Sequence, residues 1–190
     1  CPLLVYASSL AVFGAPFPDR IDDTFFLTPL TSYGVQKAMG ELLLDDYSRR
    51  EFLDGVGLRL PTICIRPGTP NKAASGFFSG ILREPLAGKP AILPVDDSVR
   101  HWHASPRAAM PGVSATVGDQ IEALRKIAGD ETVALIRRQP DPDIQRIVAG
   151  WPRDFDTRRA RQMGFRAEAS FDEIIRIYIE DELGGNLPAR

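Results

Sequence analysis

Apolar residues open the chain in an unbroken run, Leu3 to Ala7, that stops at Ser8 and Ser9. Such a run, bounded by polar residues, predicts a strand buried on both faces. A loop rich in glycine, proline and aspartate follows, with Gly14, Pro16, Pro18, Asp19, Asp22 and Asp23. From about Thr31 to Leu53 the apolar spacing turns helical, and it offers Leu42, Leu43, Leu44 and Tyr47 to a core stripe. Gly55 and Gly57 are expected to end that helix. Leu58 to Ile65 reads as a second buried strand, although Pro61 inside it cannot donate to a ladder. Strand, long helix and strand in this order make one unit of a parallel sheet.

The segment Arg66-Pro67-Gly68-Thr69-Pro70 stops regular structure at the carboxyl end of the second strand, where ligands collect in doubly wound sheets. Beyond it the pattern predicts a helix at about 74–84 and short strands near 91–94 and 99–103. The last third reads as mostly helical. Thr116, with Asp119 three residues on, caps a helix running to about Ala128. Ser170 and Glu173 form a second capping box before Ile174, Ile175, Ile177, Ile179 and Leu183, closed by Gly184. Asp156 reads as a third N-cap. No internal repeat or low-complexity segment is visible.

Composition narrows the class. A length of 190 residues allows one substantial core with a smaller appendage. A formal charge of -2 provides no basic field for nucleic acid. Cys1 and Cys64 make no disulfide framework, so a reducing, cytoplasmic compartment is expected. No apolar run reaches membrane-spanning length. The first residues lack the charged segment and cleavage site of a signal peptide. The apolar run begins at once, without an initiating methionine, as in a piece of a longer protein.

Tyr33 and Lys37 are four residues apart in the helical stretch and so project from one face. An unperturbed tyrosine, with a pKa of about 10, is a poor base at neutral pH. An ammonium within about 4 Å, at an effective dielectric near 20, favours the phenolate by roughly 4 kcal/mol. That is roughly three pKa units. A hydroxyl at Ser9 can hold a substrate oxygen as its proton leaves to Tyr33. The bare Tyr-x-x-x-Lys spacing also fits a surface tyrosine packed on a lysine stem. Its context favours chemistry: the serine pair ends one strand, the tyrosine opens the next helix, and a Pro-Gly loop ends the next strand.

VYASSLAVFG, SYGVQKAMGE and LRLPTICIRPG together resemble the second half of the Rossmann domain in extended short-chain dehydrogenases/reductases, the NAD-dependent epimerase/dehydratase family. GFRAEASFDEIIR is similar to the closing helices of that family. The resemblance implies an α/β fold: the C-terminal part of a Rossmann-like doubly wound parallel sheet over residues 1–70. A small, mostly helical substrate-binding region would cover 71–190. It implies Ser9, Tyr33 and Lys37 as the catalytic triad, with Tyr33 and Lys37 also touching NAD and Pro67 lying against the nicotinamide. Family dehydratases place an Asp-Glu pair directly after the catalytic hydroxyl, where this chain has Leu10 and Ala11, so dehydration is not expected. The stretch from PNKAASGFF to RHWHASPRAA is similar to the branch that oxidises C2 of a four-carbon, D-erythronate-like sugar acid with NAD.

A small carboxylate substrate calls for a cation, and Arg83, Arg100 and Arg107 are the candidates, Arg100 foremost. Asn71 can bond a substrate hydroxyl or simply serve a turn. His101-Trp102-His103 lacks a third metal ligand and reads as strand alternation. Asp96-Asp97 reads as a turn, and Arg158, Arg159 and Arg161 as a solvated helix face. The glycine-rich pyrophosphate loop of the family is absent from the sequence, and Ala108–Gly112 is too short for the helix and strand expected there. Weak stability and open strand edges are expected in consequence. The leading expectation is an NAD-dependent sugar-acid dehydrogenase, homodimeric in a longer parent, with this piece inactive alone. The alternatives are a sugar-nucleotide epimerase and a non-catalytic binding or regulatory relative.

Overall fold

The computed structural model describes residues 1–69, 73–108 and 110–187. The chain opens with β1 (Leu3–Ser9), makes one 3-10 turn at Leu10–Val12, and reaches α1 (Ser32–Arg49) through a long loop. Next come β2 (Asp54–Leu60), β3 (Thr62–Ile63), α2 (Gly76–Leu86), β4 (Ala91–Leu93) and β5 (Arg100–Ala104). The remainder runs through β6 (Val113–Thr116), α3 (Val117–Ala128), α4 (Asp130–Val133), β7 (Ile136–Arg138) and α5 (Pro142–Ala149). Two last helices, α6 (Arg158–Gln162) and α7 (Phe171–Glu182), complete it.

The architecture is α/β with parallel pairing. β1 lies parallel to β2, from Leu3 opposite Asp54 to Ser9 opposite Leu60. β3 is parallel to β5, which is antiparallel to β6, and β4 is parallel to β7. Pro61 breaks the expected 58–65 strand in two. Having no N–H to give, it ends β2 at Leu60, and the chain resumes as β3 beside β5.

The long helix also ends earlier than the pattern predicts. Thr31 caps α1, its Oγ accepting the Gly34 N–H at 3.0 Å. Past Arg50 the chain turns at Glu51, which takes a φ of 60°. Gly55 and Gly57 therefore do not terminate the helix; they lie within β2. A Cβ on Gly55 would meet Leu44 Cδ1 at 2.6 Å, so glycine here lets α1 press on the strand.

Burial corrects two further expectations. β1 is not buried on both faces, since Leu3 is 72% exposed and Val5 59%. Of the proposed core stripe only Leu44 is buried, while Leu42, Leu43 and Tyr47 face outward. What α1 buries is Gly34, Ala38, Glu41 and Leu44. The main core lies elsewhere, where Phe78 and Leu82 of α2, Leu124 of α3 and Ile174 and Ile175 of α7 close on Leu93 of β4.

The capping signals fare unevenly. Thr116 and Asp119 form the full reciprocal box at the start of α3. At α7 Ser170 makes no side-chain cap bond, although Glu173 accepts the Ala169 N–H at 2.7 Å. Thr157, not Asp156, occupies the N-cap position of α6, with Asp156 accepting the Arg158 N–H at 3.0 Å. Ala108–Gly112 needs to hold no strand, because β6 starts immediately after it and pairs with β5. Among the described residues between β5 and β6 there is no helix. The sequence reading passed over β7 and α5, the latter capped by Asp141 through the Asp143 and Ile144 N–H groups.

Candidate functional site

The site grows from the carboxyl end of β1. There Ser9 leaves the strand and caps the 3-10 turn, its Oγ accepting the Ala11 N–H at 3.2 Å. Among the described residues its own proton has no acceptor. The first turn of α1 lies against this turn: a Cβ on Gly34 would stand 2.0 Å from the Ala11 carbonyl oxygen. Only glycine permits that approach, and it brings Tyr33 beside the turn that Ser9 starts. Tyr33 is 54% exposed, and among the described residues its hydroxyl has no hydrogen-bond partner.

Lys37 lies one turn further along the same face. Its ammonium donates to the Ala7 carbonyl at 2.7 Å, 5.7 Å from the centre of the Tyr33 ring and 5.1 Å from that of Tyr6. Two ammonium protons remain for another acceptor. Tyr6 reaches beneath α1 because residue 40 is glycine, where a Cβ would stand 2.3 Å from the Tyr6 hydroxyl. One turn further still, buried Glu41 accepts hydrogen bonds from Ser8 Oγ and, through both oxygens, from Arg59 of β2. The sequence reading missed Tyr6 and this Ser8–Glu41–Arg59 link. The available signal was a carboxylate standing four residues after Lys37 inside the apolar run MGELLL.

Pro67 lines a cleft of about 360 Å³ together with Arg66, Thr69, Ser79, Arg83 and Glu84. Arg83 is buried, donating to the Arg66 carbonyl at 2.8 Å and to Glu84 at 2.6 and 3.0 Å. Asn71 lies outside the described residues. Arg100 and Arg107 are held apart from Ser9, Tyr33 and Lys37 by what they bind. Arg100 starts β5 and reaches Ser114 at 3.4 Å and Asp119 at 4.0 Å. Arg107 pairs with Glu180 and Asp181 of α7.

His101 and His103 sit on one side of β5, with Phe78 stacked on His101 at 5.0 Å. His101 Nδ1 donates to the Pro152 carbonyl at 3.1 Å, and Nε2 accepts from Thr62 at 2.7 Å. Burial pulls the His101 imidazole down to about 4 and holds His103 well below the ordinary histidine value. Both are therefore neutral, and no three-ligand metal cluster occurs among the described residues. Asp96 makes a turn by accepting the Ser98 N–H at 2.8 Å, and Asp97 pairs with Arg138.

A serine thus ends one parallel strand of the α/β fold, and a tyrosine–lysine pair opens the adjoining helix. The family model for the NAD dependent epimerase/dehydratase family matches residues 1–104, and the chain belongs to that family. It is similar to D-erythronate dehydrogenase of Cupriavidus necator, 45% identical over 202 residues, covering 95% of this chain and 62% of the relative. The D-erythronate dehydrogenase of Haemophilus influenzae is 40% identical, with 94% and 64% covered. A crystal structure described as the nucleoside-diphosphate-sugar epimerase from Agrobacterium tumefaciens superposes with a TM-score of 0.96 at 60% identity. It covers 98% of this chain and 61% of that one. The chain thus spans somewhat under two thirds of the length of these relatives. Among the described residues, no helix is long and apolar enough to cross a membrane.

The nicotinamide cofactor of the family can be tested against these residues. They suit its nicotinamide-ribose end: among the described residues the Lys37 ammonium has protons to spare and the Tyr33 hydroxyl has no partner, and Pro67 lines an open cleft. For the pyrophosphate end the sequence offers no glycine-rich turn.

Proposed function

We propose that Ser9, Tyr33 and Lys37 form the hydride-transfer site of an NAD-dependent dehydrogenase acting on the C2 hydroxyl of a D-erythronate-like sugar acid. The arrangement of Lys37 carries this reading. The lysine is anchored to the Ala7 carbonyl at the edge where Ser9 leaves its strand, beneath a tyrosine whose hydroxyl has no partner among the described residues. Ser9 donates to the substrate oxygen and orients it. Tyr33 takes the hydroxyl proton, and the Lys37 charge favours the phenolate that must form. Lys37 and Tyr33 would hold the nicotinamide ribose, with Pro67 against the ring. Bound NAD supplies the hydride acceptor.

Of the sequence's three candidate cations Arg83 lies on the same cleft as Pro67, with its charge already paired by Glu84. Substrate contacts by Asn71 and Arg100 remain part of the proposal, Arg100 the less favoured because Asp119 and Ser114 already engage it. A cytoplasmic setting suits the two free cysteines, and a homodimer of the longer protein would cover part of exposed α1.

The name of the 60%-identical Agrobacterium structure favours a second reading, epimerisation of a sugar nucleotide. An epimerase returns its hydride, so net NADH release during turnover separates the two. The experiment grafts residues 1–187 into the matching region of the Cupriavidus enzyme and follows NADH from four-carbon sugar acids. Tyr33→Phe should cut turnover about a hundredfold or more, with NAD affinity little changed. Undiminished turnover in that variant would remove Tyr33 from the mechanism.

A further inference from the structure

The Ser8–Glu41–Arg59 link has a role that neither the triad nor the fold explains. Tyr33, Lys37 and Glu41 occupy one stripe of α1, each a little over a turn beyond the last. At its amino end the stripe meets the turn after Ser9 through Gly34; in its middle Lys37 bonds the Ala7 carbonyl. At its far end Glu41 is 7% exposed and joins three elements at once: α1, Ser8 of β1 and Arg59 of β2. The three Arg59 bonds measure 2.8 to 3.1 Å, and the same guanidinium lies 4.9 Å from the Phe13 ring centre.

The other residues that α1 buries are small or apolar and carry no charge. Gly34 and Ala38 offer little shape to grip, and Leu44 packs on the flat backbone of Gly55 and Gly57. A carboxylate that must satisfy a serine and a forked guanidinium together has one position. A buried ion pair is a poor source of net stability, because desolvation offsets most of its attraction. Its directional demand is the property that matters here.

We propose that Glu41, clamped by Ser8 and Arg59, is a positioning residue that sets α1 against β1 so that Lys37 stays on the Ala7 carbonyl beneath Tyr33. This rests on the reading of Tyr33 and Lys37 given above, but its test needs neither substrate nor cofactor. In the full 190-residue chain, acetylation of each lysine is timed by peptide mass spectrometry alongside a thermal melt. Lys126, which is held by Asp172, serves as internal reference.

Replacing the pair by apolar residues of similar shape (E41L with R59M) should leave the melting temperature within a few degrees of the parent chain. Lys37 acetylation should rise about fivefold relative to Lys126, because loss of a supporting contact loosens a site group before it unfolds the scaffold. An unchanged Lys37 rate in the folded double variant overturns the proposal. So does a faster rate that only follows general unfolding, with Lys126 rising in step. Should the double variant fail to fold, E41Q decides, since it keeps the shape and an acceptor for Ser8: a Lys37 rate raised about twofold supports the clamp and an unchanged rate overturns it. A graft into the Cupriavidus enzyme that shows no turnover removes the dehydrogenase reading and leaves these rates to judge the clamp separately.

Discussion

The layer formed by β1, β2 and α1 and the body formed by α2, α3, α7 and the remaining strands are built on opposite plans. In the body, apolar periodicity and burial agree: Phe78, Leu82, Leu124, Ile174 and Ile175 are all sealed from water. In the layer the large apolar side chains point outward, with Leu42 62% and Leu43 60% exposed. What docks the layer is glycine, alanine, Leu44 and a buried ion pair. The body is held by area removed from water, which is large and indifferent to direction. The layer is held by close backbone approach and directed bonds, which contribute less but place side chains. Of the two, the layer carries Ser9, Tyr33 and Lys37.

The largest test of this contrast is a truncation in each half. Phe78→Ala removes a ring sealed between His101, His103 and Trp151 and should cost about 3–5 kcal/mol in urea unfolding. Leu43→Ala on the outer face of α1 should change stability by no more than about 0.5 kcal/mol. Comparable losses at both positions would mean that α1 is covered in solution.

Acid should strike the body next. His101 and His103 fold as neutral imidazoles with depressed values, so the unfolded chain binds more protons below its own histidine value of about 6.5. Stability is therefore fully present above that pH and is lost as pH falls towards about 4, the folded value of His101. Over that window His101 alone accounts for roughly 3 kcal/mol. Urea midpoints that stay flat between pH 6.5 and 4.5 would contradict buried neutral histidines.

A smaller effect is expected at the α3 cap, where Thr116→Ala strips the Asp119 N–H of its acceptor and should cost about 1 kcal/mol. Smaller still, Arg107→Ala breaks its exposed pairs with Glu180 and Asp181 of α7 and should leave the same unfolding midpoint almost unmoved. In the layer, exchanging Leu42 and Leu43 for glutamate should raise the concentration at which light scattering detects association, with the unfolding midpoint little moved. Unaltered scattering would mean that this apolar face drives no self-association.

Local signals were legible where the chemistry is local. Thr116 with Asp119, the Asp96 turn, the alternation of His101 and His103 about Trp102, and the Tyr33–Lys37 spacing all concern residues within a few positions of one another. The sequence by itself determined the parallel strand–helix–strand order and the family, because SYGVQKAMGE and its flanking strands are contiguous. Which faces are buried was decided only by tertiary structure. An apolar stripe states a preference for burial, but whether another surface lies opposite is a property of the whole chain, and none of the described residues covers Leu42 and Leu43. The same holds for Arg100 and Arg107, whose partners are 14 to 74 residues away. It holds for Glu41, whose serine and arginine come from two other strands. Directed bonds between distant residues leave no period in a sequence.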